Sequence, residues 1–229
     1  GMGALLLLCL AVLIFARPIP KLWKYIPNEA IAVVEAQQVG NLRWFIEEQP
    51  VFQTAQGLPM LQESLDTYDA IDTLQGAFPN LSELLYQEKC WLSVHLVASQ
   101  TIGHIFYLPI GKNDQFLDKL ISHFDLPATK RAYKGREIRQ ILLGGERKFT
   151  FILAEGLLIG SFHGVLIDDV IRHIESPLLT DMPWPSFQKT FYSDDFSGKE
   201  IAIYWQHSQL GPLAKSLSKT ERDGIFSWL

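Results

Sequence analysis

Cysteine is nearly missing from this sequence. Only Cys9 and Cys90 occur in 229 residues, too few for a disulfide framework or a cysteine-built zinc site. Cys9 lies inside an apolar run, so a bridge between the two is not expected. Metal-ligand spacing is lacking too. The histidines are His95, His104, His123, His163, His173 and His207, with no His-Glu-x-x-His and no pair four residues apart. No phosphate-cradling glycine loop or dinucleotide fingerprint occurs, so no cofactor is expected. A basic excess is also missing. The net charge is -5, which argues against a general nucleic-acid binder, since that function needs a phosphate-neutralising surface.

What is present describes a folded chain, 48% hydrophobic and 20% charged. The start is distinctive. "GMGALLLLCLAVLIFA" carries no charge from Gly1 to Ala16. As a helix it would extend roughly 24 Å, slightly short of a ~30 Å hydrocarbon core. Arg17, Lys21 and Lys24 follow, with Trp23 and Tyr25 among them. Aromatics beside cations suit a membrane interface, and Pro18 and Pro20 would end the helix. Three readings stand for this run: an uncleaved anchor, which is favoured, a signal peptide, or an ordinary buried helix. The signal-peptide reading lacks a basic start and a small-residue cleavage site.

Further along, Ile31–Glu35 is expected as a strand. Helical spacing runs from Val39 to about Tyr86, with a solvated acidic face. Trp91–Ala98 and His104–Ile110 read as paired strands, joined through Ser99–Thr101 and Gly103. "NDQFLDKLISHF" reads as a helix, then "AYKGREIRQILL", "KFTFILAEG" and "LLIGSF" as three strands. "VLIDDVIRHI" follows as a helix with Val165, Ile167, Val170, Ile171 and Ile174 apolar. Phe187 and Phe191, one helical turn apart, predict a short helix near Ser186. "IAIYW" predicts a strand and "LGPLAKSLS" a short helix. Strands arriving in adjacent groups favour an α+β fold: antiparallel sheet with helices packed on one face, preceded by an N-terminal hydrophobic helix.

One wording recurs. "NEAIAVVEAQQVGNL" (Asn28–Leu42) and "KEIAIYWQHSQLGPL" (Lys199–Leu213) align at an offset of 171, matching Gln38 with Gln209 and Gly40 with Gly211. The organisation expected is 1–25 as anchor or signal segment, 26–198 as the α+β domain, and 199–229 as either the start of a second similar unit or the closing strand and helix of the first. The strand-like "GIFSWL" suggests a chain that continues past Leu229.

Chemistry is sparse. Ser161 and His163 in "IGSFHG" sit at a strand-to-helix junction, but the spacing is not Gly-x-Ser-x-Gly. "SLSK" (Ser216–Lys219) has no partner motifs. His95 and His104 would face each other across a hairpin, without a third metal ligand. Trp184, Phe187, Phe191, Tyr192, Tyr204 and Trp205 suit core packing better than a sugar platform. The remaining candidate is "TKRAYKGREIR", where Lys130, Arg131, Lys134, Arg136 and Arg139 stand against one acid, Glu137. It reads as a solvated strand face or as an anion-binding surface for lipid headgroups or a polyanion.

The strand "P-x-x-A-x-x-V-V" (Pro27, Ala30, Val33, Val34), with "WLSVHLVASQTIGHIFYLPI" and "LLIGSFHGVLIDDVIRHI", resembles a family of uncharacterised bacterial envelope proteins with an N-terminal anchor. The resemblance implies a longer chain and an envelope location, and lends no activity to any residue. The expectation is a membrane-anchored, periplasmic or cell-envelope protein with a non-catalytic binding or assembly role. Its partners would be the membrane, through the N-terminal segment, and an envelope protein or anionic polymer. The alternatives are a hydrolase assembled from distant residues and an anionic-lipid or polyanion-binding module.

Overall fold

The structure, a computed structural model, describes residues 22–37, 88–98, 101–110, 122, 127–142, 147–175, 187–196 and 199–218. The apolar run 1–16, the stretch 39–86 expected to be helical and most of "NDQFLDKLISHF" lie outside these residues. The described part is mostly antiparallel sheet with two helices, broadly α+β.

A short 3-10 turn, Leu22–Tyr25, leads into β1 (Ala32–Gln37). Next come β2 (Lys89–Ala98), β3 (Thr101–Pro109), β4 (Ala128–Tyr133), β5 (Arg136–Leu142), β6 (Lys148–Ala154) and β7 (Leu157–Ser161). Helix α1 (Gly164–Ile174), β8 (Phe187–Phe196), β9 (Lys199–Gln206) and α2 (His207–Ser218) complete the chain order. All pairings are antiparallel, in the order β4-β5-β6-β7-β3-β2-β1-β9-β8.

Alternation along the strands builds an apolar surface on both faces. On one face, Val33, Trp91, Ile105, Tyr107, Ile138, Ile152 and Ile159 meet Leu166, Ile167, Val170 and Ile171 of α1, with Leu22, Tyr25 and Ile26. Ile167, Val170 and Ile171 are fully buried; each burial stabilises by about 1.5–3 kcal/mol. On the opposite face Leu92, Phe106 and Ala36 form one cluster, and Ile141, Phe151 and Leu158 another. Hence β7, next to the central strand β3, is buried at all five positions. That explains a continuous apolar run instead of alternation.

Several expectations are corrected. "AYKGREIRQILL" is not one strand. It bends at Lys134 (φ 47°) and Gly135 (φ 75°), a two-residue turn with both φ positive, between β4 and β5. Glu155 (φ 48°) and Gly156 (φ 81°) turn β6 into β7 in the same way. Gly103 is not in a connection but inside β3, opposite His95. A Cβ there would meet Val97 Cγ2 at 2.4 Å and Leu166 Cδ1 at 2.8 Å, so the close seat of α1 requires glycine. The segment after Ser186 is a strand, β8, not a helix. Val165 points outward, 51% exposed, and Leu166 takes the inward place.

The two similarly worded segments lie side by side. Strand β9 runs antiparallel to β1, with Val34 opposite Ile203 and Ala32 opposite Trp205. Backbone bonds from Ile31 N–H to Val94 O (2.8 Å) and from Gln206 N–H to Ile31 O (2.9 Å) fix that register.

Candidate functional site

The basic segment becomes a hairpin, and the pleat divides its charges. Arg131 pairs with Ile138 and Tyr133 with Arg136, so Arg131 and Arg136 lie on the face that α1 covers. Lys130 pairs with Arg139, which places both on the opposite face. The five candidate residues therefore do not share one strand face.

Most of these charges have an internal acid. Arg131 Nη2 donates to Asp168 Oδ1 of α1 at 2.5 Å. Lys134 Nζ lies 3.1 Å from Glu175 Oε2. Arg139 Nε donates to Glu137 Oε1 at 2.6 Å, and Lys130 Nζ lies 3.4 Å from the same oxygen. The bond from Arg139, ahead of its charge and of Lys130, holds the Glu137 carboxyl below its ordinary range. Beside this pair is a cleft of about 270 Å³ lined by Gly135, Arg136, Glu137, Arg139 and Leu153. An anion held there would compete with Glu137 for Arg139.

Ser161 and His163 do come together, but not as nucleophile and base. The backbone N–H of His163 donates to Ser161 Oγ at 3.0 Å, and Ser161 is fully buried. The contact is a local turn that leads into α1. Of "SLSK", residues 216–218 close α2, and Lys219 lies outside the described residues. Tyr204 stands opposite Val33 and Trp205 opposite Ala32, so these two aromatics point to opposite faces and do not form one platform. Trp184 lies outside the described residues.

His95 and His104 do not face each other. His95 is opposite Gly103 and His104 opposite Val94, which sends the rings to opposite faces. Among the described residues no group of three His, Cys, Asp or Glu side chains gathers to hold a metal.

The sequence reading missed a different pair. Ser93 Oγ and His95 Nε2 are 2.7 Å apart, and Ser93 Oγ is 3.0 Å from Tyr107 Oη. The Tyr107 hydroxyl also donates to the carbonyl of Tyr25 at 3.4 Å. Ser93 and His95 are two apart on one strand, which puts them on one face; that spacing was the available signal. The network is sealed, with Ser93 and Tyr107 at 0% exposure and His95 at 3%. Burial, with a smaller contribution from His104, pushes the His95 imidazole down to about 3. Burial raises Tyr107 above the ordinary phenol range. A general base works best with a pKa near the operating pH and within reach of substrate. This histidine meets neither condition, so the network is a buried polar strut.

A second constellation ties the N-terminal segment to the sheet. Trp23 meets Tyr204 edge-on at 5.1 Å between ring centroids. Tyr204 Oη donates to Glu35 Oε2 at 3.2 Å, and Lys89 Nζ donates to Glu35 Oε1 at 2.7 Å. Lys24 Nζ reaches Glu155 Oε2 at 2.5 Å, in the β6–β7 turn. The same bond depresses the Glu155 carboxyl.

No protein-family model matches the sequence, and no curated protein or solved structure matches it either.

Proposed function

We propose that the protein is anchored in a bacterial envelope membrane by its N-terminal hydrophobic helix and presents an extracytoplasmic α+β domain for binding or assembly, without catalysis of its own. One observation carries this reading. An uncharged run, Gly1–Ala16, passes through Arg17 and Lys21 into Leu22, which is 4% exposed in the core. A hydrophobic segment joined so closely to a packed domain suits attachment to a membrane. The sealed Ser93–His95 pair and the backbone-mediated Ser161–His163 contact favour a non-catalytic role over the hydrolase. Among the described residues no helix is long and apolar enough to cross a membrane; the spanning role is proposed for residues 1–16 on their uncharged sequence alone.

The test is membrane fractionation of the full chain with alkaline extraction, followed by protease accessibility in intact cells. Retention through alkaline extraction, with digestion from outside, supports the reading. Release of the intact protein at high pH sinks it.

The cleft at Arg136 and Arg139 supports a second reading, an anionic-lipid or polyanion-binding module. Salt-sensitive retention of the detergent-solubilised chain on a polyanion matrix, lost when Arg136 and Arg139 are reversed to Glu, would favour it.

A further inference from the structure

We propose that one end of the sheet, formed by the Lys134–Gly135 and Glu155–Gly156 turns, is held against the headgroup layer of an anionic membrane, with the opposite end turned away. This inference rests on the anchored reading above and adds an orientation to it.

The geometry comes from how the chain enters the fold. Leu22 and Ile26 are 4% and 0% exposed, so the chain is already packed into the core at Leu22. Lys24 is bonded to Glu155, which fixes this entry point at the β6–β7 turn. That turn is fastened in its own right, because Ile110 N–H donates to Gly156 O at 2.9 Å. Helix α1 ends at the same end of the sheet, where Glu175 meets Lys134 beside the β4–β5 turn. The two turns, the helix terminus and the chain entry therefore share one end.

Between Ala16 and Leu22 lie only Arg17–Lys21, and two of these residues are proline. Fully extended, six Cα steps span at most about 22 Å, and proline stiffens such a spacer. A headgroup layer adds roughly 5–7 Å on each side of the hydrocarbon. The entry end therefore cannot leave the membrane surface by more than a short distance. Lys134 is exposed in its turn but already partnered by Glu175; the unmatched positive charge in the sequence here is that of Arg17 and Lys21 in the tether. A juxtamembrane cation such as Arg17 or Lys21 is worth about 1 kcal/mol near an anionic surface. The far end, where β6 starts at Lys148, lies roughly 20–25 Å away along the strands.

The experiment compares the two ends in the same full-length protein. With Cys9 replaced by alanine and the buried Cys90 left in place, one exposed cysteine is added at Glu175 (E175C) or at Lys148 (K148C) and labelled with a donor dye under native conditions. The chain is reconstituted into phosphatidylcholine–phosphatidylglycerol vesicles carrying an acceptor on the headgroup. The expected result is transfer at least about twofold stronger from position 175 than from position 148, as the strand length separating them requires. A long Gly/Ser insertion between Lys21 and Leu22 should reduce that difference. Equal transfer from both positions, in protein that floats with the vesicles, overturns the orientation and leaves the anchored reading intact. Protein that fails to float with the vesicles overturns the anchored reading, and the orientation with it.

Discussion

Ser93 and His95 share a hydrogen bond of 2.7 Å inside the sheet, with Tyr107 as a further partner of the serine at 3.0 Å. A serine beside a histidine suggests hydrolysis when read alone. Its enclosure under α1 and the N-terminal turn makes it a structural tie.

Replacing that serine should therefore cost stability. Ser93→Ala leaves His95 and Tyr107 without this partner in a buried setting, a loss of about 1–3 kcal/mol. The urea midpoint should fall with the m-value unchanged. A variant as stable as the parent would show that the network contributes nothing.

Acid should unfold the protein through its histidines. Burial holds His95 at about 3 and, with a contribution from His163, His104 at about 4. The unfolded chain titrates near 6.5, so it takes up protons first as pH falls. The stability of the neutral histidines is fully present above about pH 6.5. It is lost downward, at about 1.4 kcal/mol per pH unit for each residue. Urea unfolding at a series of pH values should show this slope, and His104→Leu should flatten it. A stability constant from pH 7 to pH 5 would contradict it.

Two glycines should resist alanine for a steric reason. At Gly160 a Cβ would meet Phe149 Cζ at 2.2 Å, and at Gly103 it would meet Val97 Cγ2 at 2.4 Å. Overpacking of this kind costs about 1–3 kcal/mol. Phe149→Leu should partly restore Gly160→Ala and do nothing for Gly103→Ala. At Gly135 nothing lies within 4 Å, so alanine there carries only the positive-φ cost of about 1–2 kcal/mol.

The N-terminal segment should behave as core. Ile26 is 0% exposed, and Ile26→Ala should lose about 2–5 kcal/mol. Thermal melts would report it. A loss under about 0.5 kcal/mol, typical of a surface site, would mean that the segment is not part of the packed unit.

Cys90 should be inert in the folded chain. It is buried, and burial together with the charge of Glu88 pushes its thiol up to about 12. Thiol reagents should label it only after denaturant is added. Rapid labelling of the native protein would contradict that burial.

Much of the local structure was legible because it depends on neighbours in the chain. β2, β3, β6, β7 and α1 follow from their apolar runs. The misreadings have specific causes. Phe187 and Phe191 are four apart, which fits one turn of helix, while β8 has an irregularity between Lys189 and Phe191 that breaks the two-residue alternation by which a strand is read. The β4–β5 turn escaped because Lys134 occupies a positive-φ place where Asn, Asp or Gly is the usual signal. The candidate basic residues were visible, but not their acids. Asp168 and Glu175 are far along the chain from Arg131 and Lys134.

The sequence by itself determined the α+β character, the uncharged opening run and the absence of familiar catalytic spacing. These rest on composition and short-range periodicity. Only the tertiary structure decided that β9 lies beside β1, that the basic hairpin is split between two faces, and that a serine and a histidine are sealed together. Each of those depends on contacts between distant segments. Burial on both faces of one sheet selects such contacts, and no local pattern records them.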